Sequence, residues 1–196
     1  MTGARCGFRL AALGLAAALV ACASPDPALY TIAPVQGAQQ NAAPKVIVVQ
    51  QIGLARYLER SQIVRSSENY RLDVMSNDWW GEPLASMLSR VLVVELSQRL
   101  PQSHVLGESG GVSAPPDATI ELNVQRLDED ATGVLVLQAQ AGVNFKGHGA
   151  PVLRSFRFTV PPTGPGVPDE VAAISAAVGQ LADGLASMLM AGPTGS

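Results

Sequence analysis

Two segments of the chain carry apolar residues at the spacing of an amphipathic helix. In residues 84–100 a leucine recurs at every fourth position, with other apolar residues beside this row: Leu84, Leu88, Leu92, Leu96, Leu100, Met87 and Val91. Pro83 suits the first turn of a helix, and Pro101 ends the pattern. The second segment begins at Asp169 or the residue before it, and its stripe comprises Val171, Ile174, Val178, Leu181, Leu185, Met188 and Leu189. The spacing predicts two helices, each with one face in the core.

The other apolar positions follow strand patterns, either short β-branched runs or alternation of apolar and polar residues. Predicted strands cover residues 29–32, 45–51, 62–65, 70–74, 103–106, 119–126, 134–145 and 152–160. A polar turn at residues 66–69 joins two strands into a hairpin, and the last three strands form an antiparallel meander. We expect Asp128-Glu129-Asp130 to lie in a solvated turn of that meander.

The order of elements is strands, helix, strands, helix, which is typical of an α+β fold. We therefore predict a single domain over residues 29–190, a largely antiparallel sheet with two amphipathic helices packed on one face. The chain is long enough for one hydrophobic core and too short to expect two. Residues 191–196 are predicted to form a disordered tail.

The N-terminus has the pattern of a bacterial secretion signal. Arg5 and Arg9 precede an apolar run over residues 10–18, which is too short to span a bilayer. The run leads into Leu19-Val20-Ala21-Cys22, which resembles the lipobox of bacterial lipoproteins. That resemblance implies removal of residues 1–21, acylation of Cys22 and a tether over residues 22–28. The alternative is an ordinary signal peptide cleaved near Ala23, with Cys22 incidental.

Acylation of Cys22 on both its sulfur and its amine would make a stable membrane anchor, because more than one acyl chain is then buried in lipid. By resemblance to other lipoproteins, Ala23 favours transfer to the outer membrane, whereas an aspartate at that position favours retention in the inner membrane. We therefore expect a lipid-anchored protein on the periplasmic side of the outer membrane.

Charge and cysteine content narrow the classes of function. Cleavage would remove two of the 13 basic residues and none of the 16 acidic ones, so the mature chain is acidic. The chain also lacks a cluster of Lys or Arg, which argues against nucleic-acid binding. Cys6 leaves with the signal peptide, so the mature chain has no disulfide.

No combination of residue types in the sequence indicates catalysis. His104 and His148 have no His or Cys at ligand spacing, and the chain contains neither a Gly-x-Ser-x-Gly elbow nor a phosphate-binding loop. We predict that the protein is not an enzyme, with no catalytic residues, no metal site and no cofactor apart from the covalent lipid on Cys22.

Two segments are candidates for binding a partner. Trp79 and Trp80 adjoin Glu82 and Pro83 at a strand-to-helix junction, where neighbouring side chains point in different directions. Burial of both tryptophans in the core is the favoured interpretation, and the alternative is one core tryptophan with the other exposed as an interface anchor. The second candidate is the charged, aromatic segment Arg56-Tyr57-Leu58-Glu59-Arg60, for which an ordinary solvated loop is the default and an interaction loop the alternative.

Several short motifs resemble those of the ABC-type transport auxiliary lipoproteins, the PqiC/YmbA family. They are residues 29–32, the strand at 45–50, residues 57–64 and residues 69–72, followed by Trp80-Gly81-Glu82-Pro83-Leu84, which is similar to the family's Trp-Ala-Glu-Pro-Leu. Residues 57–64 resemble the family's Tyr-Leu-Asp-Arg-Pro-Gln-Ile-Val. Glu59, Ser61 and Gly81 depart from the usual Asp, Pro and Ala. The resemblance covers nearly the whole mature chain.

The resemblance implies a non-catalytic subunit of an MCE-type lipid transport system that supports the integrity of the cell envelope. Family members are thought to dock the far end of a periplasm-spanning tunnel formed by MCE-domain proteins. We expect such a tunnel protein to bind at Trp79, Trp80, Glu82 and Pro83 or at the segment containing Arg56, Tyr57 and Arg60. The alternatives are a stand-alone periplasmic lipid-binding carrier and an envelope assembly factor. Whether the chain forms a homo-oligomer is left open.

Overall fold

The computed structural model describes residues 26–41 and 43–192. The strands are β1 (Ala28–Tyr30), β2 (Val46–Val49), β3 (Gly53–Leu54), β4 (Gln62–Ser66), β5 (Asp73–Trp80), β6 (His104–Gly107), β7 (Ala118–Glu129), β8 (Leu135–Phe145) and β9 (Val152–Val160). The helices are α1 (Leu84–Arg99) and α2 (Val167–Ala191), with a short 3-10 helix at Arg56–Leu58. The predicted signal peptide, Cys22 and most of the predicted tail lie outside the described residues.

Strand β7 organises the sheet. Along one edge it pairs over its whole length with β8 in antiparallel orientation, and β8 pairs with β9 in the same way. This is the predicted meander, which is confirmed. The other edge of β7 is shared by three short strands: β2, β3 and β4 each pair with it in parallel. Beyond them, β6 pairs with β2, while β5 pairs with β4 and β1 with β5.

The α+β class and the single domain are confirmed, but the prediction of a largely antiparallel sheet is wrong. Five of the eight strand pairs are parallel: β1–β5, β2–β6, β2–β7, β3–β7 and β4–β7. Parallel neighbours need long crossover connections. Here α1 and the irregular segment after β1 supply them. Strand patterns in a sequence reveal hairpin pairing through short turns, but they do not show which distant strands pair in parallel.

Both helices pack on one face of the sheet, as predicted. Alternate residues of the central strands point to this face and are buried, among them Ile120, Leu122, Val124, Ala139, Ala141 and Val143. The leucine row of α1 and the predicted stripe of α2 are buried against them. At the edge, α2 lies so close to β9 that a Cβ on Gly184 would stand 2.5 Å from Cε1 of Phe156. Only glycine allows that approach.

Helix α2 begins at Val167, one or two residues before the predicted start. Gly166 is its N-cap, Pro168 lies in the first turn, and the carboxylate of Asp169 accepts the N–H of Gly166 at 3.2 Å. The helix is long and apolar enough to cross a membrane by length and composition. However, 67% of its most apolar window is buried inside the domain, so here α2 serves as a core helix.

The segment after β1 crosses both helices and is fixed there by polar groups. The N–H of Val35 donates to Oε1 of Glu95 at 2.7 Å, and the carbonyl of Val35 accepts from Nη1 of Arg99 at 3.0 Å. Further on, the N–H of Gln40 donates to the carbonyl of Arg99 at 2.7 Å. This irregular segment is therefore tied to the C-terminal half of α1.

Candidate partner-binding surface

Three strands meet where β5 leads into α1. The N–H of Trp80 donates to the carbonyl of Ser61 at 2.7 Å, which joins β5 to the start of β4. The N–H of Gly81 donates to the carbonyl of Tyr30 at 2.8 Å, which joins the same point to the end of β1. The junction between β5 and α1 is therefore held on both sides by backbone hydrogen bonds.

The two tryptophans occupy different environments, as alternation along a strand requires. Trp80 points into the core and is 7% exposed. Trp79 is half-buried, and its indole N–H donates to the carbonyl of Ser76 at 3.2 Å. On the neighbouring strand its register partner is Leu29, an apolar side chain that is 66% exposed. Of the two, Trp79 is the one that a partner could reach.

A pocket of about 290 Å³ brings the two predicted binding segments together. Its lining comprises Glu59, Arg60, Ser61, Trp80, Gly81, Glu82 and Pro83. Within the described residues the guanidinium of Arg60 forms no ion pair, and its Nε donates to the carbonyl of Tyr57 at 3.2 Å. The pocket therefore combines a tryptophan and a proline with a cation that is available to an acidic or polar partner.

Glu82 and Pro83 set the start of α1. Pro83 is the N-cap residue, with φ −52° and ψ 129°, and its carbonyl accepts the N–H of Met87 at 3.0 Å. Oε1 of Glu82 accepts from Nε of Arg90 at 3.1 Å, and the same guanidinium reaches Oγ1 of Thr31 at 3.3 Å. Both members of this ion pair are solvent-accessible, so it contributes little stability and could rearrange on binding.

The side chains of the segment from Arg56 to Arg60 differ in exposure. Arg56, Glu59 and Arg60 are exposed, whereas Leu58 is buried. The hydroxyl of Tyr57 donates to Oδ2 of Asp128 at 2.7 Å, and neither residue lines the pocket. Of the residues predicted to bind, the structure gathers Arg60, Trp80, Glu82 and Pro83, and it leaves Arg56, Tyr57 and Trp79 outside the pocket lining.

The prediction of a solvated Asp128-Glu129-Asp130 turn is wrong for Asp128. Strand β7 continues through Glu129, and the turn begins at Asp130. Asp128 is completely buried, and its carboxylate accepts from Nε of Arg126 and the hydroxyl of Tyr57, each at 2.7 Å. A register shift between Val124 and Arg126 turns these side chains toward the 3-10 helix. Burial and the hydrogen bond to Asp128 raise the pKa of Tyr57 well above its usual range.

A second polar cluster was not predicted: the buried Glu95 and Arg99, with the half-exposed Asp183. Nε of Arg99 donates to Oδ1 of Asp183 at 2.6 Å, and its other nitrogens reach the carbonyls of Val35, Glu95 and Gly179. Burial raises the pKa of Glu95 to about 7, although the Val35 N–H and the Arg99 charge oppose that rise. The sequence did indicate that Glu95 and Arg99 face the core, because they continue the apolar row of Met87 and Val91 at four-residue spacing.

A third buried charge lies in the first turn of α2. Glu170 is sealed in the core, and its Oε2 faces Nε of Arg65 at 3.5 Å. Burial, followed by the nearby carboxylate of Glu129, raises the pKa of Glu170 to about 7, against the opposing charge of Arg65. Like Glu95, this carboxyl is removed from the pocket at the β5–α1 junction.

Two solved structures share this fold. One, described only as an uncharacterized protein, is 19% identical, with a TM-score of 0.69 over 83% of this chain and 98% of its own. The other, protein XCC0632 from Xanthomonas campestris, of the family DUF330, is 17% identical, with a TM-score of 0.68 over 83% of this chain and 95% of its own. A comparison with curated proteins gave no match.

The sequence profile of one protein family matches residues 29–186, from β1 to the last turns of α2. That family is described as an ABC-type transport auxiliary lipoprotein component. The match spans well over half of the chain and includes every motif on which the predicted resemblance rested. The chain therefore belongs to the family of ABC-type transport auxiliary lipoproteins, membrane-associated components of transport systems.

Proposed function

We propose that the chain is a non-catalytic outer-membrane subunit of an MCE-type, Pqi-like lipid transport system, and that it docks the periplasm-spanning tunnel. The observation that carries the proposal is the pocket at the β5–α1 junction. The pocket presents the guanidinium of Arg60, which forms no ion pair in the part of the chain that the structure describes. The chain that carries it belongs to a family of transport auxiliary components. Beside the pocket, Leu29 on the edge strand β1 and Trp79 on the neighbouring strand β5 form an apolar patch.

The position of this surface relative to the membrane supports the docking role. Asp26 is only four residues beyond Cys22, and a chain spans at most ~3.5 Å per residue, so the acylated cysteine lies within roughly 14 Å of it. The carbonyl of Asp26 accepts from the side-chain amide of Asn77 on β5 at 3.3 Å. Acylation would therefore hold the surface close to the bilayer and raise its effective concentration for a partner there.

The environments of the titratable groups favour a binding role over catalysis. The two carboxyls whose pKa is raised to about 7, Glu95 and Glu170, are sealed in the core and do not line the pocket. A general acid or base must reach its substrate within hydrogen-bond distance. Neither group can do so without opening the domain.

Outer-membrane placement is proposed from Ala23, which follows Cys22 where an aspartate would favour retention in the inner membrane. The auxiliary protein would then meet the tunnel at its end distant from the inner membrane. Lipid passing along the tunnel would arrive next to the membrane that holds the anchor.

The first experiment is a crosslinking pull-down from envelope membranes with the acylated, C-terminally tagged protein. We expect an MCE-domain protein to be enriched. Arg60→Glu and Leu29→Ser should each reduce its recovery, and Trp79→Ala should do the same. The matched controls are Arg157→Glu and Leu153→Ser, which change exposed residues of β9 at a distance from the pocket. Thermal melting of each variant separates loss of binding from loss of fold.

Equal recovery of the MCE-domain protein with the surface variants and their controls would refute the assigned surface. Failure to recover such a protein with well-expressed, acylated material would refute the docking role. Lipid retained stoichiometrically in that case would favour a carrier. A groove of about 600 Å³ lies on the helix-free face of the sheet, where Ala141 and Leu153 are mixed with polar residues such as Gln50, Glu121 and Asn123, and it is the place to look for such a lipid.

A further inference from the structure

The hairpin of β4 and β5 ends in a tip, residues 69–72, whose apolar side chains point into solvent. Tyr70 is fully exposed, and Leu72 is 38% exposed. Arg71 lies between them, also exposed, and forms no ion pair within residues 26–41 and 43–192. An aromatic, an aliphatic and a cationic side chain are thus presented together at one point of the surface.

The tip is held in this conformation by its base. The N–H of Arg71 donates to the carbonyl of Glu68 at 3.1 Å, and the carboxylate of Glu68 accepts from Nη2 of Arg126 at 2.7 Å. Asn69 and Tyr70 adopt φ angles of 55° and 61°, in the left-handed region that non-glycine residues seldom occupy. The fold therefore directs the Tyr70 ring outward at a conformational cost.

The tip lies on the side of the domain from which the membrane tether arrives. Strand β1 runs parallel to β5, with Ala28 opposite Asp78 and Tyr30 opposite Trp80. The chain from Cys22 therefore approaches from the side on which β5 begins, and β5 begins at the tip. The register partner of Ser66 is Glu129, at the end of β7, so the start of β7 is at the opposite end of the domain.

We propose that residues 69–72 insert into the headgroup region of the membrane in which Cys22 is anchored. Tyrosine suits that region because its ring is apolar and its hydroxyl can remain hydrated. Leu72 would reach toward the acyl chains, and Arg71 would pair with lipid phosphate. The inference rests on the proposed acylation of Cys22, because the short tether is what brings the tip to the bilayer. It would fix the orientation of the domain relative to the membrane.

The test uses the full acylated protein in vesicles of phosphatidylethanolamine and phosphatidylglycerol. In Tyr70→Cys the new thiol is the one free thiol of the mature chain, because Cys6 is removed and Cys22 is modified. An environment-sensitive fluorophore is attached there, and lipids carrying a nitroxide near the headgroup are added as quenchers. The matched control is Val112→Cys. Val112 is 69% exposed and lies in the loop before β7. The 12 residues of β7 separate it from the tip by roughly 35 Å, given the rise per residue of a strand.

We expect the probe at position 70 to show blue-shifted emission and to lose most of its fluorescence to the headgroup quencher, while the probe at position 112 behaves as in water. Leu72→Cys gives a second reporter if the first variant does not fold. Aqueous emission at positions 70 and 72 in protein that floats with the vesicles would overturn the proposal while leaving the anchor intact. A shift that occurs only when an MCE-domain protein is added would instead assign the tip to a protein partner. Protein that fails to float would refute the anchor itself, and the insertion with it.

Discussion

Nε of Arg99, near the end of α1, lies 2.6 Å from Oδ1 of Asp183, in the middle of α2. The Arg99 side chain is 1% exposed, whereas that of Asp183 is about half exposed, so the pair extends from the core to the surface. The same guanidinium binds three backbone carbonyls, including that of Val35 in the crossing segment. One side chain thereby joins both helices and the chain that leads to β2.

Replacing Arg99 with methionine should strongly destabilise the domain. The substitution removes the side-chain donor to three carbonyls and to the half-exposed carboxylate of Asp183, and loss of such partners for buried acceptors costs about 1–3 kcal/mol. Urea unfolding of the two proteins would measure the difference. Arg157→Met, at an exposed position on β9, serves as the control and should change stability by less than about 0.5 kcal/mol. Equal effects at the two sites would contradict the assigned role of Arg99.

The free energy of unfolding should fall as the pH rises from 5 to 8. The pKa of Glu95 is about 7 in the folded protein, above its ordinary value of 4.5, so the folded state retains a proton that the unfolded state releases. The stability that this proton provides is complete below pH 4.5 and is lost as the pH rises through 7. The pKa of Glu170 is also about 7 in the folded protein, so loss of its proton lowers the stability over the same pH range.

The variant Glu95→Gln isolates one of these two groups. Between pH 5 and pH 8, the free energy of unfolding should fall by roughly 1–3 kcal/mol less in this variant than in the unmodified protein. The decrease that remains is the contribution of Glu170. Glu59→Gln makes the same substitution at an exposed position and serves as the control. Denaturant unfolding at a series of pH values provides the comparison. Parallel profiles for Glu95→Gln and the unmodified protein would rule out burial of a protonated Glu95.

Removal of the Tyr57 hydroxyl should lower stability by about 2 kcal/mol, because a buried carboxylate loses one of its donors. In Tyr57→Phe, Asp128 keeps only its contact with Arg126. Tyr30→Phe makes the same chemical change where the acceptor, Asp78, is only half-buried, and it should cost less than about 1 kcal/mol. Similar losses in the two variants would mean that burial of Asp128 does not determine the effect.

Placement of the anchor can be tested at a single residue. If Ala23 permits transfer to the outer membrane, Ala23→Asp should move the acylated protein into the inner-membrane fraction of a density gradient. Its thermal melting should remain unchanged, since position 23 precedes the domain. Cys22→Ala provides the unanchored reference. Outer-membrane recovery of Ala23→Asp would contradict the sorting argument without affecting the docking surface.

Local periodicity was sufficient to predict the helices and the meander. The four-residue spacing of leucines in α1 and the alternation of apolar and polar residues in β7, β8 and β9 each recur several times within a short stretch of chain. Every recurrence indicates the same buried face. The parallel pairing of β2, β3 and β4 with β7 depends instead on contacts between distant segments. Periodicity gives the face of a strand and not its neighbour, so the sheet was mistaken for a largely antiparallel one.

The buried charges were missed for a related reason. Arg99 and Asp183 are 84 positions apart, and Tyr57 and Asp128 are 71 apart, so no local pattern indicates that they meet. That Trp80, Glu82 and Pro83 line one pocket could be expected from the sequence, because they are close together along the chain. Their role in binding stays a prediction. What the sequence did not show was that Arg60 would complete the same pocket across β4.

The parallel pairing of β1 with β5 has a mechanical consequence. If a transport partner pulls the domain away from the membrane, the acylated end of the chain pulls back along the axis of β1. Its hydrogen bonds to β5 run across that axis, so they are loaded in shear and must fail together instead of opening one by one. Beyond β1, the guanidinium of Arg99 secures the next segment between the helices. If Cys22 is acylated as proposed, this pairing would resist unravelling of the domain from its tethered end.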